Sequence, residues 1–119
     1  MSKKVLVVGA SENPSRYSNK AMIKLYENSY EVFAFGNRPG KVMGIEISTK
    51  FPKMEIDTIT LYLSSKNQKQ YHNNIINSNP KRIIFNPGAE NEELSIIARE
   101  KGIEVMNACT LVMLSIGNF

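Results

Sequence analysis

The chain has 119 residues, 42% of them apolar, with one cysteine and a formal net charge of +4. That length and composition suffice for one compact domain with a continuous core. A single cysteine excludes an internal disulfide framework and fits a reducing cytoplasm, and no stretch approaches the roughly 20 apolar residues needed to cross a bilayer. The opening MSKKVLVVGA mimics a signal peptide, but VLVV is too short for its apolar core, so the expected location is cytoplasmic. The mild positive charge points towards an anionic ligand. Charge alone is weak evidence for nucleic acid, and neither nucleic acid nor membrane is expected as a partner.

Apolar runs and helical stretches alternate along the chain. Val5–Val8, Val32–Phe35, Thr58–Leu63, Arg82–Phe85 and Ile103–Met106 are short, rich in β-branched or aromatic residues, and bounded by Gly, Pro, Asn or Asp, so they read as buried strands. Between them, Lys20–Asn28 carries Ala21, Ile23, Leu25 and Tyr26 at helical spacing, and Asn67–Asn79 is a more polar helix with Tyr71, Ile75 and Ile76 facing inward. Asn91–Lys101 opens on Glu92 and Glu93 and ends at Gly102, as the helix dipole favours. Ala108–Ile116 reads as a short last helix. No helix is expected between Phe35 and Asp57, only a loop with an extended piece around Ile45–Ile47.

Strand and helix in alternation predict an α/β fold: a doubly wound parallel sheet of five strands with helices on both faces. The expected strand order is 3-2-1-4-5, reversing between the first and fourth strands. Ligands bind such sheets at the carboxyl ends of the strands, beside the reversal. The loops Gly9–Asn19, Gly36–Lys41, Ser64–Lys66 and Asn86–Glu90 should meet there, with Asn107–Thr110 at the same edge.

The first loop, GASENPSRYSN, has one glycine where the dinucleotide fingerprint G-x-G-x-x-G has three. Gly9 allows a tight turn, and small Ala10 and Ser11 let a ligand approach backbone N–H groups able to receive phosphate. Ser11 and Ser18 add hydroxyls, and Arg16 adds a planar fork suited to phosphate. The plainer alternative is that Gly9-Ala10-Ser11 only turns a strand into a helix. After the second strand come Gly36, Asn37 and Arg38, where an NAD enzyme has an acid for the ribose hydroxyls. Arg38, with Lys41 near, favours a ribose bearing an extra phosphate, as in NADP or coenzyme A; an exposed surface arginine is the alternative.

Asn86-Pro87-Gly88 forms a turn after the fourth strand, able to meet a ligand through Asn86 and the Gly88 backbone. Glu90, Glu92 and Glu93 fit dipole partners better than metal ligands. Cys109 opens the last helix, where the dipole activates a thiol, but its apolar neighbours equally suit an inert buried cysteine. His72 lies in a polar helix as an expected surface residue, which disfavours a Ser-His-Asp or Cys-His catalytic pair.

Five segments in order, VLVVGASENPSRYSNKA, FAFGN, DTITLYLS, RIIFNPGAENEEL and NACTLVML, resemble the small bacterial CoA-binding proteins of the YccU-like type. These are single-domain relatives of the nucleotide-binding half of the succinyl-CoA synthetase alpha chain. The resemblance spans nearly the whole chain and implies a Rossmann-like CoA-binding domain. It further implies that Gly9, Ala10, Ser11, Asn13, Pro14 and Arg16 surround the CoA phosphates. Gly36, Asn37 and Arg38 would border the adenosine, and Asn86, Pro87, Gly88 and Cys109 would lie towards the pantetheine end. Relatives more often carry V-N-P at the second-strand loop, and the synthetase's phosphorylated histidine has no counterpart here. The expected function is binding of coenzyme A or an acyl-CoA without catalysis of its own. An NAD(P)-dependent enzyme or a nucleotide-binding regulatory module is the alternative, and a homodimer or further protein partner stays open.

Overall fold

The computed structural model describes residues 3–119. Its elements are β1 (Lys4–Val8), α1 (Tyr17–Glu27), β2 (Glu31–Phe35), β3 (Gly40–Val42), β4 (Ile45–Ser48), β5 (Thr58–Leu61), α2 (Ser65–Gln68), a 3-10 turn at Lys69–Tyr71, α3 (His72–Asn77), β6 (Arg82–Phe85), α4 (Glu92–Glu100), β7 (Glu104–Asn107) and α5 (Thr110–Ser115). All seven strands form one sheet in the order β3-β4-β2-β1-β5-β6-β7. Every pairing is parallel except β3 with β4.

Alternation along β1 shows how the sheet is covered. Leu6 and Val8 face a core shared with Ile75 of α3 and with Leu94 and Ala98 of α4. Val5 and Val7 face the opposite core, with Met22 and Leu25 of α1 and Leu114 of α5. A strand buried on both faces must read as a continuous apolar run, and VLVV does.

The expected α/β class with helices on both faces holds, but the strand order and number do not. The strand at Thr58 was expected beyond β2; it lies instead between β1 and β6, and the place beyond β2 is taken by β4 and β3. All four residues of β5 are buried, as suits a central strand covered on both faces. The extended piece expected around Ile45–Ile47 is β4, while β3 was not expected; both alternate buried with exposed residues, as a solvated edge does, so their apolar content is too thin to mark full sheet strands in the sequence. The chain then returns from β4 to β5 without a helix. Phe51, Met54 and Ile56 cover that face in its stead. The topological reversal therefore falls between β1 and β5.

Helix limits also move. α1 begins at Tyr17, three residues before the expected start at Lys20. The polar stretch Asn67–Asn79 breaks into α2, the 3-10 turn and α3, consistent with the weak helical preference of Asn and Ser side chains that compete for backbone hydrogen bonds. The Asn91 side chain caps α4 through the Leu94 N–H at 3.0 Å. No helix among the described residues is long and apolar enough to cross a membrane.

The β3–β4 hairpin turns on two residues, since Val42 pairs with Ile45. Met43 at φ 52° and Gly44 at φ 80° make it a type I′ turn, whose first position disfavours a residue such as methionine. Met43 is half exposed and packs little. Met43→Asn should therefore raise folding stability by about 0.5–1 kcal/mol, read as a higher denaturant midpoint at unchanged slope. An unchanged midpoint would mean that the left-handed conformation carries no penalty here.

Candidate functional site

The carboxyl ends of β1, β2 and β5 open into one cleft of about 1090 Å³. Its first wall is the β1–α1 loop. Phe35 O accepts from both Gly9 N–H (2.9 Å) and Ala10 N–H (3.0 Å), which lays this loop directly on the end of β2. Such closeness needs a bare Gly36: a Cβ there would stand 2.5 Å from Ala10 O and 3.1 Å from Ile47 Cγ2. Gly9 itself has φ +92°, and its Cα faces the Tyr62–Leu63 backbone.

The loop is shaped by its own side chains. Ser11 Oγ accepts from Asn13 N–H at 3.1 Å, and Asn13 Oδ1 accepts from Ser15 N–H and Ser15 Oγ–H. Asn19, buried in the first turn of α1, donates its amide to Ser11 O at 3.0 Å. The loop ends at Arg16, which forms no side-chain cap, and no acidic residue stands in the first turn of α1. The N–H groups of Tyr17, Ser18 and Asn19 have no helical carbonyl to donate to, so the helix presents its positive end at the cleft. Among the described residues the ion pairs are Lys24–Glu27 and Lys81–Asp57. Neither Arg16 nor Arg38 is in one, and both line the cleft.

Of the residues singled out from the sequence, Gly9, Ala10, Ser11, Asn13, Arg16, Ser18, Gly36, Asn37, Arg38 and Pro87 line this cleft. Pro14, Asn86, Gly88 and Cys109 do not. Asn86 is buried, and its amide donates to Thr60 Oγ1 (2.6 Å) and Leu61 O (2.9 Å). Its carbonyl accepts from Thr110 N–H at 2.9 Å. That side chain joins β5, β6 and α5, with its hydrogen-bonding capacity used internally. The turn that follows closes with Ala89 N–H on Asn86 O at 2.8 Å, and Gly88 takes φ +91°, as a type II turn with Pro87 before it requires. Gly88 N–H is occupied by Glu90 Oε1 at 2.9 Å. Cys109 is the partly buried N-cap of α5.

His72, expected at the surface, is partly buried, with Nε2 3.1 Å from the Asn91 amide. It lies outside the cleft lining. No cluster of metal-ligating side chains occurs among the described residues.

The sequence reading missed Glu12, Tyr62, Leu63, Asn67, Gln70 and Tyr71, which also line the cleft. The loop expected at Ser64–Lys66 does reach the cleft through Ser64, whereas Tyr62 and Leu63 fall within the expected strand and Asn67, Gln70 and Tyr71 within the expected helix, so none of these stood out. Phe35 and Tyr71, both in the lining, form an aromatic cluster with Phe51, with centroids 4.9 Å apart for Phe35–Tyr71 and 5.1 Å for Phe35–Phe51. Glu12 crosses to the edge hairpin, where its Oε2 accepts from Lys41 N–H at 2.9 Å.

Tyr62 lines the cleft, and its hydroxyl is buried beside the Thr60 and Thr110 hydroxyls without a well-formed hydrogen bond to either. The neighbouring Thr60 and Thr110 hydroxyls pair with each other at 2.8 Å. Burial pushes the Tyr62 phenol up to about 12 from its ordinary 10.0, and the two threonine hydroxyls oppose the rise in part.

Two outcomes follow. Gly36→Ala should force the first loop off β2 and destabilise the fold by about 1–3 kcal/mol; a wild-type denaturation midpoint would show that Ala10 O can yield freely. Below pH 10 the folded and unfolded chains both keep the Tyr62 proton. Between pH 10 and about 12 only the unfolded chain loses it, so folding stability falls over that window, by about 2–3 kcal/mol from this residue. Tyr62→Phe should remove that part of the alkaline loss and gain about 1 kcal/mol at neutral pH by deleting the orphaned hydroxyl. Parallel stability–pH curves for parent and variant would contradict it.

A family model described as CoA binding domain matches residues 3–115. No curated protein matches the chain. Among solved structures, an uncharacterized protein is 43% identical, with TM-score 0.96, covering 100% of this chain and 99% of its own. A hypothetical protein from Pyrococcus horikoshii OT3 is 28% identical with TM-score 0.82, covering 92% of this chain and 80% of its own. The dinucleotide-forming acetyl-coenzyme A synthetase 1 of Ca. Korarchaeum cryptofilum is similar in fold, at 20% identity and TM-score 0.70, over 89% of this chain but 25% of the larger one. With the family model covering all but its first two and last four residues, the chain belongs to the CoA-binding domain family.

Proposed function

We propose that the protein binds coenzyme A, free or acylated, in the cleft at the β1–β5 reversal, with the phosphates received by the first loop and the start of α1. The observation that carries this reading is the pairing of an uncompensated helix N-terminus with two guanidinium groups outside any ion pair, Arg16 and Arg38, in one cleft. Helix ends and arginine forks both favour phosphate oxygens. Family membership supports the ligand class.

Within this reading Arg38 meets the 3′-phosphate that distinguishes coenzyme A from dephospho-CoA. The β2 exit offers Gly36, Asn37 and Arg38 and no acid, so the hydroxyl-accepting group typical of an NAD site is missing from its usual place. Arg38 is solvent-exposed, which limits its contribution through screening.

Thermal shift and calorimetry test the proposal. Coenzyme A at 100 times its dissociation constant should add about 2.7 kcal/mol of stability, and NAD should add little. Equal shifts with both, or none with either, would overturn the reading. Coenzyme A should bind up to about tenfold more tightly than dephospho-CoA, or about 1 kcal/mol. Arg38→Ala should erase most of that difference and leave dephospho-CoA affinity nearly unchanged. A preference that survives Arg38→Ala would assign the phosphate to another residue, Lys41 first.

A further inference from the structure

Glu12 is the one carboxylate among the described residues lining the cleft, whose other charged lining residues are Arg16 and Arg38. A negative charge there works against an anionic ligand, so its presence needs a reason. Its contacts supply one. Glu12 Oε2 accepts from Lys41 N–H at 2.9 Å, a bond spanning 29 residues of sequence. The same side chain lies in the space a Cβ of Gly40 would take, 2.5 Å from Glu12 Cγ and Cδ and 2.8 Å from Oε1. The backbone of Gly40 is not left-handed, so the bare Cα there serves the approach of Glu12 rather than a turn.

The hairpin it reaches buries Val42 and Ile47 in the core but has few backbone pairs to the rest of the sheet. β3 pairs only with β4, and β4 joins β2 through two residue pairs, Ala34↔Ile47 and Phe35↔Ser48. The segment carrying Arg38 hangs between the end of β2 and the start of β3. One end is tied by Gly36 N–H on Ser48 O at 3.0 Å, and the other by the pairing of β3 with β4 together with the Glu12–Lys41 bond.

We propose that Glu12 is a positioning residue: seated over Gly40 on the Lys41 N–H, it straps the first loop to the edge hairpin and holds Arg16 and Arg38 at a set separation for one anionic ligand. This deepens, and rests on, the coenzyme A reading of the same cleft. The strap outweighs the like-charge cost because a fixed pair of loops need not be ordered when the ligand arrives.

A double-mutant cycle in the full chain tests it. Glu12→Ala removes the strap, and Gly40→Ala displaces it by filling its seat. Each should weaken coenzyme A binding by roughly tenfold, the worth of one charge-assisted hydrogen bond. The double variant should bind no worse than either single one. Glu12→Gln, which keeps an acceptor for Lys41 N–H and removes the charge, should bind at least as well as the parent. Hydrogen exchange at the Lys41 amide reads the strap without ligand, and should speed up in Glu12→Ala and Gly40→Ala but not in Glu12→Gln. Additive losses, parent-like binding by Gly40→Ala, or tighter binding by Glu12→Ala would each overturn the positioning role. An unchanged Lys41 amide in Glu12→Ala would overturn the strap whatever the parent binds. A parent that ignores coenzyme A while its Lys41 amide responds as described would overturn the ligand reading, and the positioning role with it, but not the strap.

Discussion

The arrangement turns on one carbonyl. Phe35 O, at the end of β2, receives the N–H groups of both Gly9 and Ala10, so the loop leaving β1 folds down onto its neighbour before it starts α1. This close approach has a steric condition, met by the missing side chain of Gly36 against Ala10 O. With the loop laid there, the first residues of α1, Tyr17 and Ser18, line the cleft at the strand ends. The helix dipole then bears on the same space as the β2 exit loop.

Around that loop, buried side-chain amides hold the other strand exits in place. Asn86 ties the end of β6 to β5 and to the first turn of α5. Gln68, fully buried, donates to Leu63 O and Ala89 O at 2.7 Å each and accepts from Asn91, whose own carbonyl caps α4. A buried amide left unmatched is costly, whereas these are matched at several atoms each. Tyr62 breaks the pattern, with a hydroxyl walled in beside two threonines that satisfy each other.

Charge at the cleft is uneven. The guanidinium groups stand outside ion pairs, while the one lining carboxylate is engaged by a backbone N–H. A region rich in unspent positive charge and helix-end donors suits phosphate oxygens, which accords with membership of the CoA-binding domain family.

Much of this was legible in the chain itself. Short β-branched or aromatic runs marked β1, β5 and β6, which are buried on both faces, and also β2 and β7, which are buried only in part. The loop Gly9–Asn19 and the exit Gly36–Arg38 were recognisable from small residues and arginines following those runs, and the family followed from five such segments in order. What the chain did not disclose was strand order. β3 and β4 are short, edge-lying and half polar, so beyond an extended piece at Ile45–Ile47 their local pattern matches a loop, and only the pairing of β4 with β2 and of β3 with β4 makes them strands. Without them β5 looked like the neighbour of β2, and although its exit at Ser64 was expected at the cleft, Tyr62, Leu63 and Tyr71 were not. The fates of individual polar residues were hidden for the same reason. Nothing local separates Asn13, which shapes an exposed loop, from Asn86, which is consumed in the core, or marks Glu12 as the partner of an amide 29 residues away. Local sequence determined which segments become strands and helices, because burial and turn chemistry act over a few residues. Tertiary structure alone decided which strand ends meet, because that depends on pairings between segments far apart in the chain.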